Sequence, residues 1–88
     1  MFFNYYPEVK DIVESYGFGR EVYVKDTSAE MIGDGRKVVL ETTCGSLMAT
    51  VYLGGVLEGI IEDYSYDAFK GSLVIYLDEL FGIECKSK

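Results

Sequence analysis

Cys44 and Cys85 are the strongest nucleophiles in this sequence, and it contains no histidine to activate them. A thiol without an imidazole partner needs a Lys, an Arg or a helix N-terminus to lower its pKa. Cys44 falls in a Thr-Cys-Gly-Ser turn that offers none of these. Cys85 stands in a charged tail with Glu84, Lys86 and Lys88. Both read as reduced, unreactive thiols of a cytoplasmic protein. With no His and no Cys-x-x-Cys, a structural zinc site lacks ligands.

Carboxylate chemistry fares no better. Glu62/Asp63 and Asp78/Glu79 are adjacent pairs, and neighbours on a strand or helix point apart. They read as solvated acids. Asp26-Thr27-Ser28-Ala29-Glu30 opens like a calcium loop, but Met31 stands where the loop needs Gly and Lys37 where it needs Glu. Asp63-Tyr64-Ser65-Tyr66-Asp67 fails in the same way, with Ala68 and Val74 at those positions. Gly17-Phe18-Gly19 starts a dinucleotide fingerprint without its third glycine. It also leads from helix to strand, the reverse of the required order. The sequence therefore assigns no catalytic residue, metal ligand or cofactor, and the chain reads as a non-enzyme.

The elements that position the remaining side chains come from one short chain of 88 residues, which allows a single small domain over 1–88. Val9, Ile12, Val13 and Tyr16 make one apolar stripe and predict a helix over 5–16, with Pro7 and Glu8 in its first turn. Gly17 then supplies a left-handed terminus, and Phe18 packs back. Residues 20–25 alternate as a strand, and 26–36 reads as a loop with a turn at Asp34-Gly35.

Residues 37–43 and 46–53 are the clearest strands. A two-residue Cys44-Gly45 turn pairs Thr43 with Ser46. It puts Thr42/Leu47, Leu40/Ala49 and Val38/Val51 on one face. Glu41/Met48, Val39/Thr50 and Lys37/Tyr52 take the other. A three-residue Gly54-Gly55-Val56 loop keeps the next strand in phase. It pairs Leu53 with Leu57, Tyr52 with Glu58, Thr50 with Ile60 and Met48 with Glu62. Residues 66–81 form a second helix, on the stripe Phe69, Leu73, Tyr76, Leu77 and Leu80. Ser65 or Asp67 caps it, and Gly82 ends it. The sum is α+β, order α-β-β-β-β-α. It is a two-layer antiparallel meander of about four strands with two helices on one face.

Charge narrows the function. Fifteen acids against eight bases give −7. Such a surface repels free nucleic acid and anionic membranes and suits a basic protein partner. No basic leader opens the chain, and no uncharged run reaches the ~20 residues of a membrane span. Between Val38 and Phe69 there are five acids and no Lys or Arg. Tyrosines share that stretch, and tyrosine suits interfaces. The candidate partner-binding residues are Glu41, Tyr52, Glu58, Glu62, Asp63, Tyr64, Tyr66 and Asp67. The expected function is a small acidic protein-binding module. Its concrete form is a phage or mobile-element inhibitor that mimics nucleic acid in a basic groove. The alternative is a structural subunit that pairs with its own copy through the mixed sheet face as a homodimer.

Overall fold

The computed structural model describes residues 1–86, with side chains through Phe81. Its elements run α1 (Phe2–Tyr5), α2 (Pro7–Ser15), β1 (Arg20–Val24), β2 (Ser28–Gly33), β3 (Arg36–Thr43), β4 (Ser46–Leu53), β5 (Val56–Asp63) and α3 (Tyr66–Lys86). The five strands form one antiparallel sheet in chain order, so β3 is central and β1 and β5 are the edges.

The fold class is α+β as expected, with five strands rather than four. The expected 26–36 loop contains β2, which pairs along its length with β3. Ala29 and Met31 of β2 are fully buried, yet Ser, Ala, Glu and Gly have low strand propensity. Pairing on both sides overrides that local weakness. The Asp34-Gly35 turn is present, both residues at positive φ.

The first helix also differs from expectation. A separate helical turn, α1, precedes α2, and the break is Tyr6 at φ −134° and ψ 61°. The residue before proline is pushed out of helical conformation, and Pro7 follows Tyr6. The other end is as read. Gly17 takes φ +100°, its N–H donates to the Glu14 carbonyl, and the Phe18 N–H donates to the Val13 carbonyl. These two bonds are the Schellman pattern, and Phe18 is fully buried.

Every predicted β3–β4 pair is present, from Thr43/Ser46 to Lys37/Tyr52. The β4–β5 register holds from Val51/Gly59 to Met48/Glu62 but not at the turn. Gly54-Gly55 is a two-residue turn with both glycines at positive φ, and Leu53 pairs with Val56. The register shifts between Val51 and Tyr52, so Glu58 is the extra, bulged residue and Tyr52 faces Leu57. A bulge one step inside the turn keeps the apolar phase that a longer loop was expected to supply.

Ser65 caps α3, its Oγ accepting the Ala68 N–H at 3.1 Å. The helix runs through Gly82 to Lys86 instead of ending at Gly82. A helical glycine costs only about 1 kcal/mol against alanine, and no proline follows to enforce a stop. The reading of Cys85 as a reduced, unreactive thiol in a charged tail falls outside the described side chains.

All helices pack on one sheet face. Ala29, Met31, Val38, Leu40, Leu47, Ala49 and Val51 of the sheet meet Phe2, Val9, Val13, Phe69, Leu73 and Leu77, all buried. The helices are tied to each other at their surfaces. The Tyr16 hydroxyl donates to Asp78 Oδ1 at 2.5 Å, and Lys70 Nζ lies 2.6 Å from Glu8 Oε1. Among the described residues no helix is long and apolar enough to cross a membrane.

Candidate functional site

Among the described residues, no group of three acids, cysteines or histidines is placed to hold a metal ion. The two calcium-like openings are used locally. Asp26 pairs with the N-terminal ammonium at 3.2 Å, and Ser28 begins β2. Ser65 caps α3, and Asp67 lies 3.5 Å from Lys70. Cys44 is exposed in its turn.

Among the described residues, what is left without a covering layer is the outer face of the sheet. Side chains alternate across a strand, so the residues between the buried ones point away from the helices. The register sets three rows. At one end lie Arg20, Ile32, Lys37, Tyr52 and Leu57. In the middle lie Tyr23, Glu30, Val39, Thr50 and Ile60. At the other end lie Ser28, Glu41, Met48 and Glu62. Lys25 closes that third row, its N–H on the Ser28 carbonyl, and its ammonium sits over the Tyr23 ring.

This face is apolar for one that no element covers. Ile60 is 58% exposed and Leu57 52%, while Ile32, Val39, Met48 and Tyr52 are half-buried. It is also balanced in charge: Arg20, Lys25 and Lys37 against Glu30, Glu41 and Glu62. The acids that make the chain −7 concentrate on the helix layer. There Glu8, Asp11, Glu14, Asp67, Asp78 and Glu79 outnumber Lys10 and Lys70. Along β3 the signs separate, with Lys37 at the first row and Glu41 at the third, where Lys25 stands on the edge strand. Lys37 Nζ lies 4.7 Å above the Tyr52 ring and 3.9 Å from Glu30.

The eight candidate residues do not form one cluster. Glu41 and Glu62 flank Met48 in the third row. Glu62 accepts the Ser46 hydroxyl at 2.8 Å, and Ser46 meets Thr43 Oγ1 at 2.6 Å. Asp63 follows, half-buried, and Tyr64 is 79% exposed at the corner into α3. Tyr52 sits at the opposite end of the sheet beside Lys37, and Glu58 is in the bulge. Tyr66 belongs to the helix junction. Its hydroxyl accepts the Glu8 N–H at 3.1 Å, its ring packs edge-on against Tyr6, and Lys70 lies over it. Asp67 is exposed beside Lys70.

Electrostatics agree with that division. The hydrogen bond and charge of Lys70 lower the Glu8 pKa, and the same hydrogen bond to Glu8 raises that of Lys70. Burial raises the Tyr66 and Tyr76 hydroxyls. Glu8, Lys70 and Tyr66 lie at the helix junction and Tyr76 lies against Gly59 of β5, so among the described residues none of these groups is on the outer face.

Two grooves border the face. One, of about 430 Å³, is lined by Arg20, Ile32, Lys37, Tyr52 and the Gly33–Arg36 turn. The other, of about 450 Å³, lies at the opposite end between Tyr6, Thr42, Ser46, Tyr64 and Tyr66. Arg20, Lys25, Ile32 and Leu57 were not among the sequence candidates. Arg20 and Lys25 need the β1–β2 pairing, Ile32 needs the β2–β3 pairing, and Leu57 needs the bulge. Comparison with protein-family models, with curated proteins and with solved structures finds no match.

Proposed function

We propose that this chain is a non-enzymatic protein-binding module whose contact surface is the bare outer face of its sheet. One-sided covering carries the reading. An antiparallel sheet that faces water on one side ordinarily puts polar residues there. Here Ile32, Val39, Met48, Tyr52, Leu57 and Ile60 share the uncovered side. Contiguous exposed apolar area of this kind marks interaction sites. The test is site-specific photocrosslinking in cells. A photoreactive phenylalanine at Thr50, mid-face, should give protein adducts, and the same probe at Asp11 on the helix layer should not. Equal yields from both positions would sink the reading.

A second reading is supported by the third-row end. Glu41 and Glu62 flank Met48 there and the exposed Tyr64 follows at the corner beside a groove, while Asp63 pairs with Leu47 on the other side of the strand. Spaced carboxylates with a projecting aromatic suit a basic partner surface. In its concrete form the chain is a cytoplasmic inhibitor of phage or mobile-element type that fills a nucleic-acid-binding groove. Its test is binding to a basic partner with and without Tyr64.

A further inference from the structure

We infer that the groove at the β3–β4 hairpin end of the molecule is a binding site for an uncharged sugar ring, a neutral hexopyranose alone or at the end of a short saccharide. The inference goes beyond the protein contact at the outer face and does not depend on it.

Both layers build the lining. Tyr6 stands at the break between α1 and α2, Tyr64 at the corner into α3 and Tyr66 in the first turn of α3. The hairpin brings Thr42, Thr43 and Ser46 to them. Charged residues make up 26% of the chain, yet among the described residues none lines this groove.

The rings of Tyr6 and Tyr66 are held by their own contacts. Tyr6 rests on Phe2, ring centroids 5.0 Å apart, and Phe2 is fully buried. Tyr66 packs edge-on against Tyr6 at 5.2 Å, and its hydroxyl accepts the Glu8 N–H. Side chains already ordered in this way lose less freedom when a ligand arrives. Tyr64 is 79% exposed, so its ring and its hydroxyl are open to a ligand.

The hairpin hydroxyls run in one direction. Buried Ser46 donates to Glu62 Oε2, and an ionised carboxylate only accepts. The Thr43 hydroxyl, 2.6 Å from Ser46 Oγ, therefore donates to Ser46. Thr43 Oγ1 keeps its lone pairs as acceptors. The Thr42 hydroxyl is likewise a donor, to the Thr27 carbonyl in a long bond of 3.4 Å, and keeps acceptors too. A ligand hydroxyl can donate to the hairpin while another accepts from Tyr64.

This lining selects the ligand class. An ion here would lose water without gaining an opposite charge. Anions are further repelled by the net charge of −7. A cation finds Lys70 already over the Tyr66 ring, 4.4 Å from its centroid. Nucleobases are read by forked groups of Asn, Gln, Arg or Glu, and none of these lines the groove. A wholly apolar ligand would strip Thr43 and Tyr64 of water with no hydrogen bond in return. A pyranose carries C–H groups on its faces, which lie well on the negative face of a tyrosine ring, and hydroxyls around its rim. The groove volume of about 450 Å³ falls low in the roughly 300–1,000 Å³ range of small-molecule sites and suits a mono- or disaccharide.

The experiment is an NMR titration of the full isotope-labelled chain with the methyl glycosides of glucose, galactose, mannose and N-acetylglucosamine, each to about 50 mM. At least one should shift the amides of residues 42–47 and 64–66 along a saturating curve, with a Kd of about 1–10 mM, as befits so small a ligand. Tyr64→Ala should weaken that binding about 10-fold, through the lost ring face. Thr43→Val should weaken it about 5-fold, through one lost hydrogen bond. Both residues are exposed, and the variants' own spectra report that they fold. Tyr52→Ala, at the opposite end of the sheet, should leave the Kd unchanged. Absence of saturable shifts with all four sugars overturns the inference, as do groove shifts that Tyr64→Ala and Thr43→Val both leave intact. Tighter binding of adenosine or tetramethylammonium than of every sugar overturns the ligand class.

Discussion

The carbonyl oxygen of Gly17 occupies the space that a side chain on Gly33 would fill. Gly17 ends α2 in a left-handed conformation, and Gly33 ends β2 just before the Asp34-Gly35 turn. The helix terminus is therefore seated directly on the sheet's backbone. Arg36 fastens the same junction, donating to the Tyr16 carbonyl and lying 3.9 Å over the Phe81 ring.

Gly33→Ala should consequently cost about 3 kcal/mol, the upper range for overpacking against atoms that cannot yield. The comparison is Gly71→Ala in α3, where an added methyl meets nothing within 4 Å. Removing that helical glycine should add about 1 kcal/mol of stability. Urea denaturation of both variants checks the pair. Equal midpoints would mean that the helix end does not rest on β2.

Leu40 and Leu77 are fully buried on facing layers, whereas Ile60 and Met48 lie on the outer face. Leu40→Ala and Leu77→Ala should each cost about 2–5 kcal/mol. Ile60→Ala and Met48→Ala should cost under about 1 kcal/mol in the monomer. Thermal unfolding at low protein concentration ranks the four. An order with Ile60 above Leu40 would turn the sheet inside out.

Gly45 and Gly55 hold φ of +79° and +84° in the tight turns on either side of β4. Valine at either site should destabilise by roughly 1–3 kcal/mol, through backbone strain alone, since no atom lies near the added carbon. The check is the melting temperature of each variant against wild type.

The Glu8–Lys70 pair sets a pH signature. Its carboxylate is held below the ordinary glutamate range by the Lys70 hydrogen bond and charge. A depressed acid contributes stability above its unfolded pKa, about 4.3, and loses it as pH falls through the folded value. Lys70 is raised, so its share is present below about pH 10.4 and lost as pH climbs through the folded value. Carboxyl NMR should show Glu8 titrating early, and Lys70→Met should return it to the ordinary range. Because both groups meet water, added salt should blunt the difference. An unmoved Glu8 midpoint in the variant would remove the pair.

Tyr64 projects at the third-row end without burying its ring. If a basic partner docks there, Tyr64→Ala should speed dissociation by the factor that ~2 kcal/mol of a hot spot implies. Stability should change by less than about 0.5 kcal/mol, as for surface sites. Surface plasmon resonance against the captured partner reads the first effect, and thermal melting reads the second.

Local chemistry settled much of this molecule. The α2 stripe, the Gly17-Phe18 ending, the Thr43/Ser46 hairpin and its whole register follow from periodicities and turn residues a few positions apart. So does the sorting of Val38, Leu40, Ala49 and Val51 inward and of Val39, Thr50 and Ile60 outward. The tertiary structure decided what depends on distant partners. Ser28–Gly33 is a strand because β1 and β3 both pair with it, although its own residues are weak strand formers. Tyr52 meets Leu57 because a bulge, rather than a longer loop, carries the phase correction. The charge balance of the outer face needs Arg20 and Lys25, which only the β1–β2 pairing brings beside Lys37 and Glu41. A sequence lists charges in order along the chain. The sheet collects every second residue of five strands onto one surface, so an acidic chain can present a neutral face.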